Sequence, residues 1–236
     1  MNTIPVSHPR TRMIAHRGLS DLETENTAAA FVAAGNRSYF GIETDVHKTA
    51  DGHFVVIHDE NTHRVSGTSC QVEKTKLKNL RSLTLKNLGG EPRADLKIPT
   101  LQEYIQICKR YQKAGVLELK ARFSSKEIKQ IVSIIQKEEY LEHIIFISFD
   151  LENLVLLREL LPKQPAQLLT SDAPSKKTIQ QMQQYRLGLD CNEKQLSKKL
   201  VEEMHRLGIE VNCWTCNDPG TAQMLISWGV DYITTN

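Results

Sequence analysis

The sequence predicts an α/β protein of the TIM (β/α)8 barrel class. Short apolar strands alternate with amphipathic helical segments along the chain, and the number of repeats approaches that of a complete barrel. A length of 236 residues with 40% hydrophobic content is sufficient to bury the core of one such barrel. We therefore expect residues 1–236 to form a single barrel domain, with its active site at the carboxyl ends of the strands.

The individual elements follow from the spacing of apolar residues. Strands are expected at the short apolar runs 13–15, 39–46 with 54–57, 115–119, 144–148, 167–169, 187–190, 210–214 and 232–234. Helical periodicity fills the segments between them, at 26–34, 101–112, 126–138, 151–161, 176–184, 197–207 and 220–228. Because parallel strands need long crossover connections, this alternation favours a parallel sheet.

One segment interrupts the alternation. Residues 60–97 are polar and rich in lysine, and they are too long for an ordinary connection. We expect a small insertion after the second strand region. It should lie over the mouth of the barrel and shape the side of the active site that holds the alcohol part of a substrate. A solvated surface segment without substrate contacts is an equally good interpretation.

Two carboxylates on a predicted strand carry a geometric prediction. Glu43 and Asp45 are two residues apart, so their side chains project from the same face. Adjacent carboxylates repel unless one takes up a proton or a cation lies between them, and a hard divalent ion suits oxygen ligands. A carboxylate pair of this spacing more often lies on the solvated face of a strand. Here the next strand ends in His58-Asp59, which favours a functional site.

Further charged residues follow two other predicted strands. His16 and Arg17 come after the first strand, where the arginine fork suits phosphate oxygens and His16 with His58 could act as base and acid. We expect Gly18 to allow close approach to the backbone. Glu118 and Lys120 end a later strand on one face, where they could add a third carboxylate and a positive charge or form an exposed pair.

Aromatic residues are weaker candidates. Trp214, near a strand end, could offer an apolar wall to the alcohol part of a substrate, or it could pack in the core. Phe149 and Asn217 are less favoured as site residues. Together, the carboxylates, histidines and cations indicate metal-assisted chemistry on a phosphate ester.

The order of these motifs resembles that of the glycerophosphodiester phosphodiesterase family. The similarity spans nearly the whole chain and includes His16-Arg17-Gly18, Glu25-Asn26-Thr27, Glu43-x-Asp45, the Asp51-Gly52 turn, His58-Asp59, Ile98-Pro99-Thr100, Glu118-x-Lys120, Trp214-Thr215-x-Asn217 and Gly229-Val230-Asp231. Thr24 stands where the family usually has proline, which should change only how the loop enters the first helix.

This resemblance implies hydrolysis of a glycerophosphodiester to glycerol 3-phosphate and an alcohol, with Mg²⁺ or Ca²⁺ as cofactor. The residues that it assigns to the site are the acid/base pair His16 and His58, the metal ligands Glu43, Asp45 and Glu118, and the phosphate contacts Arg17 and Lys120. Two alternatives stay open: a phosphodiesterase acting on lysophospholipids, and a non-catalytic barrel that binds metal and phosphodiester.

Composition limits the partners. A net charge of +2 gives no reason to expect nucleic-acid binding. Without a leader-like or membrane-length apolar run, we expect no integral membrane association and a cytoplasmic location, with a small molecule as the partner. Five cysteines at irregular spacing indicate reduced thiols, and Cys213 and Cys216 lie along a strand where residues three apart face opposite ways, unlike a redox or zinc pair. The sequence does not predict an oligomeric state.

Overall fold

Eight parallel strands close into a barrel within residues 11–236, the part of the chain that this computed structural model describes. In chain order the strands are β1 (Arg12–Ala15), β2 (Gly41–Lys48), β3 (Phe54–Val56), β4 (Ala114–Leu119), β5 (Ile144–Ser148), β6 (Ala166–Thr170), β7 (Gly188–Asn192), β8 (Val211–Trp214) and β9 (Tyr232–Thr235). Only β3 lies outside the parallel ring, antiparallel to β2. Because β1 pairs with both β2 and β9, the ring is complete and the predicted TIM barrel is confirmed.

Nine helices lie within residues 11–236; seven of them follow the strands as the periodicity predicted, and the second and third, in the insertion, were not predicted. The nine are α1 (Ala28–Gly35), α2 (His63–Ser66), α3 (Leu77–Ser82), α4 (Leu101–Tyr111), α5 (Ser125–Lys137), α6 (Leu151–Leu160), α7 (Lys176–Tyr185), α8 (Lys198–Arg206) and α9 (Pro219–Trp228). Their starts are set by local side chains: Thr100 and Ser124 form capping boxes with Glu103 and Glu127, respectively, which satisfy the first free backbone amides. Every predicted strand and helix is present with ends within two residues of those expected.

Alternation along each strand separates an outer core from the barrel interior. In β2, Ile42 and Val46 pack in the outer core with the helices, so the intervening Glu43 and Asp45 face inward. The interior contains an apolar cluster made of Ile14, Val116, Ile145, Ile147, Leu169 and Tyr232. Beside it, Asn212 Nδ2 donates to Gln167 Oε1 at 3.1 Å, so these buried polar groups satisfy each other.

The insertion at residues 60–97 has a small core of its own, which its lysine-rich sequence concealed. It contains α2, a 3-10 turn at Val72–Lys74 and α3. Its apolar side chains pack with those of the β3 region, in a cluster of Val55, Ile57, Val65, Val72, Leu80, Leu85, Leu96 and Ile98. The segment is therefore a packed part of the fold, not a solvated excursion.

Thr24 does more than redirect the chain into the first helix. Its carbonyl accepts a hydrogen bond from the hydroxyl of Thr27, the residue that caps α1. Its own hydroxyl donates to the carbonyl of Lys86 at 2.7 Å, which ties the β1–α1 loop to the insertion. The expectation that only the helix entry would change was thus too narrow.

Two further features concern the length of the helices and the state of the cysteines. None of the helices in residues 11–236 is long and apolar enough to cross a membrane. All five cysteines are free thiols. Cys213 and Cys216 are both buried in the outer core, so the expectation that they face opposite ways is wrong, because β8 ends at Trp214 and Cys216 does not continue its alternation.

Candidate active site

Three buried carboxylates form the centre of the site. Glu43 and Asp45 of β2 and Glu118 of β4 each offer an oxygen, and these atoms lie within 4.8 Å of one another. The strands pair in a register that sets Asp45 opposite Glu118, so alternation on two adjacent strands is sufficient to assemble the cluster. The three residues are only 3%, 1% and 8% exposed, respectively, so water screens their mutual repulsion weakly.

The electrostatics of this cluster favour a bound cation. Burial, together with the charge of Asp45, raises the pKa of Glu43 well above its usual value and that of Glu118 to about 7. Burial acts in the same direction on Asp45, but Lys120 and Arg17 outweigh it and lower the pKa of this carboxyl. Without a metal ion the cluster therefore retains protons near neutral pH. The oxygen donors fit a hard divalent ion, whose charge would keep all three groups ionised.

Two cations border the carboxylates. Lys120 Nζ lies 3.1 Å from Glu118 Oε1 and 3.5 Å from Asp45 Oδ1. Arg17 donates its backbone N–H to Glu43 Oε2 at 2.8 Å. Its buried Nε lies 3.6 Å from Asp45 Oδ2 and has no hydrogen-bond partner in the described part of the chain. A buried donor of this kind is suited to an anionic oxygen of a ligand.

The backbone after β1 places Arg17 in this position. Arg17 and Gly18 both have positive φ, at 54° and 80°. A Cβ atom on Gly18 would lie 2.7 Å from the backbone of Ala30 in α1. Gly18 therefore allows the close backbone approach that the sequence predicts, and the backbone that approaches it is that of α1.

The two histidines are oriented by different partners. His16 Nδ1 lies 2.7 Å from Asn236 Oδ1, and His58 Nδ1 lies 2.7 Å from Asp59 Oδ1. With Nδ1 engaged in each ring, Nε2 is the nitrogen that can exchange a proton with a ligand. Burial lowers the pKa of both imidazoles, which favours their neutral forms at pH 7.

A chain of ion pairs connects His58 to Arg17. Arg64 of the insertion donates Nε to Asp59 Oδ2 at 2.6 Å, and its two terminal nitrogens donate to Glu25 at 2.8 Å each. Glu25 also accepts from Arg17 NH1 at 3.0 Å. The insertion thus helps to fix both a histidine and a phosphate-contact candidate, which the sequence argument did not foresee.

Asn26 is a second positioning residue that the sequence argument missed. Its Nδ2 donates to Asp45 Oδ2 at 2.8 Å, and its Oδ1 accepts from the hydroxyl of Thr44 at 2.6 Å. Both bonds are buried. Asn26 therefore fixes which Asp45 oxygen remains available for a cation.

These side chains surround one cleft of about 200 Å³ at the carboxyl end of the barrel. Its lining residues are His16, Arg17, Glu43, His58, Glu118, Lys120, Ile147, Phe149, Leu169, Asp190, Trp214 and Thr234. The structure thus brings seven of the eight predicted residues to the cleft wall, and Asp45 joins them through the carboxylate cluster. Phe149 packs edge-on against Trp214 with ring centroids 5.6 Å apart, so both aromatics contribute to the apolar side. Asn217, by contrast, accepts bonds from Thr235 and Asn236 and supports the β9 end.

Two known phosphodiesterases are similar to this chain in sequence over nearly its whole length. The chain is 29% identical to a glycerophosphodiester phosphodiesterase of Caldanaerobacter subterraneus over 230 residues, covering 96% of this chain and 94% of that protein. A second glycerophosphodiester phosphodiesterase, from Bacillus subtilis, is 27% identical and covers 98% of this chain, which spans 85% of that protein.

A solved structure and a family model are also similar to this chain. A phosphodiesterase of Oleispira antarctica, in complex with the product sn-glycerol-3-phosphate, superposes with a TM-score of 0.88 at 27% identity, covering 96% of this chain and 93% of that one. The model of the glycerophosphoryl diester phosphodiesterase family matches residues 16–236. The chain therefore belongs to the glycerophosphoryl diester phosphodiesterase family, as its motifs predicted, and is a phosphodiesterase of that class.

Proposed function

We propose that this chain hydrolyses glycerophosphodiesters to glycerol 3-phosphate and an alcohol, with a divalent ion bound by Glu43, Asp45 and Glu118. The observation that carries the proposal is the convergence of three carboxylates within 4.8 Å, two histidines and two cations on one cleft. The product bound to the Oleispira antarctica phosphodiesterase supports glycerol 3-phosphate as the product here.

Mg²⁺ and Ca²⁺ are the ions that we propose, because both prefer the oxygen ligands that the cluster offers. When bound, such an ion supplies Lewis-acid polarisation of a phosphate oxygen. The three carboxylates would hold the ion, and the hydrogen bond from Asn26 Nδ2 to Asp45 Oδ2 keeps the Asp45 carboxylate oriented.

Arg17 and Lys120 bind the phosphate and offset the negative charge that develops on its oxygens. Arg17 is suited to this because its buried Nε has no hydrogen-bond partner among residues 11–236 and only an ion-pair contact of 3.6 Å with Asp45 Oδ2. Lys120 Nζ lies 3.1 Å from Glu118 Oε1, so its ammonium group would be close to a phosphate bound at the ion site.

His16 and His58 form the proton-transfer pair. One accepts the proton of the attacking hydroxyl and the other gives a proton to the leaving alcohol, each contributing on the order of 10²–10⁴ in rate. Asp59 and Asn236 keep the rings turned so that Nε2 is the reactive nitrogen. The nucleophile that we propose is the 2-hydroxyl of the substrate's own glycerol, which gives a cyclic phosphate that water opens, because a neighbouring hydroxyl has a high effective concentration.

We further infer a single cytoplasmic domain, with residues 60–97 as an insertion over the mouth of the barrel. The free thiols support the compartment, since disulfides are rare in the cytosol. Contacts of Arg64 with Glu25 and Asp59 support the placement of the insertion.

The test is turnover of a panel of glycerophosphodiesters and lysophosphatidylcholine, with and without a chelator. We expect the water-soluble diesters to be hydrolysed, chelation to abolish turnover, and Mg²⁺ or Ca²⁺ to restore it. A matched control is Glu118→Gln, which keeps the shape of the cleft but should not respond to added ion. Full activity after exhaustive chelation would refute the metal assignment, and preference for the lysophospholipid would refute the substrate class.

A further inference from the structure

Asp190 is a buried carboxyl group in the cleft that the proposed mechanism does not use. Its neighbours on β7, Leu189 and Cys191, pack in the outer core, so Asp190 faces the barrel interior and lines the cleft. The residue is 1% exposed, and its Oδ1 has no hydrogen-bond partner within residues 11–236. Its backbone carbonyl accepts a bond from Trp214 Nε1 at 3.3 Å, which fixes the strand but leaves the carboxyl group unpaired.

An unpaired polar atom in this environment is unusual. Buried polar groups in folded proteins nearly always have a partner, because an unsatisfied buried group loses its hydrogen bonds to water without replacement. The cations of the cleft are directed elsewhere, with Arg17 paired to Glu25 and Lys120 paired to Glu118. Because Asp190 lines the cleft, a ligand bound there can supply a partner for its carboxyl group.

The surroundings of Asp190 favour a neutral ligand group over a cationic one. Ile147, Leu169 and Trp214 give this side of the cleft an apolar wall. Burial, with a contribution from the negative charge of Glu118, raises the pKa of Asp190 well above its usual value. A protonated carboxyl group both donates and accepts, as a hydroxyl group does, so the two are complementary.

We propose that Asp190 is a specificity residue, which binds a hydroxyl group of the substrate and so selects polyol phosphoesters over alkyl phosphoesters. This inference rests on the proposed function, because it places the phosphate at Arg17, Lys120 and the ion site. The phosphate then anchors the ligand at one side of the cleft and Asp190 reads the hydroxyl group at the other. A ligand without that hydroxyl leaves the carboxyl group buried and unpaired, as it is without a ligand.

The test is calorimetric binding to the full chain in the presence of Mg²⁺. The probes are sn-glycerol 3-phosphate, n-propyl phosphate, which lacks both hydroxyls at the same chain length, and phosphoethanolamine, which carries an ammonium group. We expect glycerol 3-phosphate to bind about tenfold more tightly than n-propyl phosphate, which corresponds to one hydrogen bond. Asp190→Leu should abolish this ratio and leave n-propyl phosphate affinity within about twofold of wild type.

A second variant separates recognition from folding. Asp190→Asn keeps a donor and an acceptor of similar size, so it should retain most of the tenfold ratio. Melting temperatures of both variants should equal or exceed that of the wild type, because no intramolecular hydrogen bond of the carboxyl group is lost. A lower melting temperature in both would assign Asp190 a structural role and overturn the proposal.

The remaining outcomes distinguish this inference from the proposed function. Equal binding of glycerol 3-phosphate and n-propyl phosphate by an enzyme that hydrolyses glycerophosphodiesters would overturn the role of Asp190 alone. Tightest binding of phosphoethanolamine would also overturn it, in favour of a carboxylate that pairs with an ammonium group. Failure of the wild type both to bind any of these phosphates and to hydrolyse any diester would overturn both.

Discussion

Divalent-ion binding should depend strongly on pH around neutrality, because the pKa of Glu118 is about 7 in the metal-free site. An ion binds the ionised carboxylate, so a proton on Glu118 must leave before or during binding. For one group of this pKa, the protonated fraction is about 90% at pH 6 and about 10% at pH 8. The affinity for Mg²⁺ should therefore fall about tenfold from pH 8 to pH 6, or about 1.4 kcal/mol.

Glu43 determines whether the fall in Mg²⁺ affinity is larger or smaller than tenfold. Burial also raises the pKa of Glu43, so a second proton at this residue would make the fall steeper than tenfold. Titration calorimetry at pH 6, 7 and 8, in two buffers of different ionisation enthalpy, measures the affinity and counts the released protons. Glu118→Gln is the control, since it should bind Mg²⁺ weakly and should not release the proton held by Glu118.

Equal affinities at pH 6 and pH 8 without proton release would refute this reasoning. The three carboxylates would then be ionised before the ion arrives, and the balance of burial and charge described for the cluster would be wrong.

Three other predictions follow from individual contacts. His16→Ala and His58→Ala should each lower turnover at least about a hundredfold with little change in melting temperature, and near-native turnover in either variant would make that residue structural. A substrate with hydrogen in place of the glycerol 2-hydroxyl should bind but turn over very slowly, and turnover equal to that of the parent would favour water as the nucleophile. Ser124 and Lys48 lower the pKa of Glu127 to about 2, so the stability that this carboxylate contributes is present above about pH 4.3 and is lost as the pH falls toward 2. Glu127→Gln should accordingly lower the melting temperature at pH 7 but not near pH 2, and a constant difference would contradict the pKa.

The fold and most of the cleft could be predicted because they depend on local periodicity. In β2 and β4 the alternate residues pack in the outer core, so Glu43, Asp45 and Glu118 face the inside of the barrel. This placement depends only on the alternation along each strand. In a parallel barrel the carboxyl ends of all strands meet at one edge, so His16 and Trp214 reach the same cleft from distant strands.

The parts that could not be predicted depend on pairing across long sequence distances. Arg64 contacts Glu25 across 39 positions, and no local pattern indicates that the insertion folds back to meet that loop. Asp190 has the spacing of an inward-facing strand residue, but the lack of a partner for its carboxyl group becomes visible only when its neighbours are in place. The core of the insertion was missed for a related reason, since its apolar residues are spread singly among lysines.

The contact between His16 and Asn236 has a consequence for how the enzyme acquires activity. These residues are 220 positions apart, and they meet only when β9 docks beside β1. Contacts of such sequence separation form slowly, because a long loop must close before any of them is gained. A refolding chain can therefore form most of its helices and strands while one of the two histidines proposed for proton transfer still lacks its orienting partner. Recovery of turnover should lag behind recovery of circular dichroism, so the reaction itself reports the final closure of the ring.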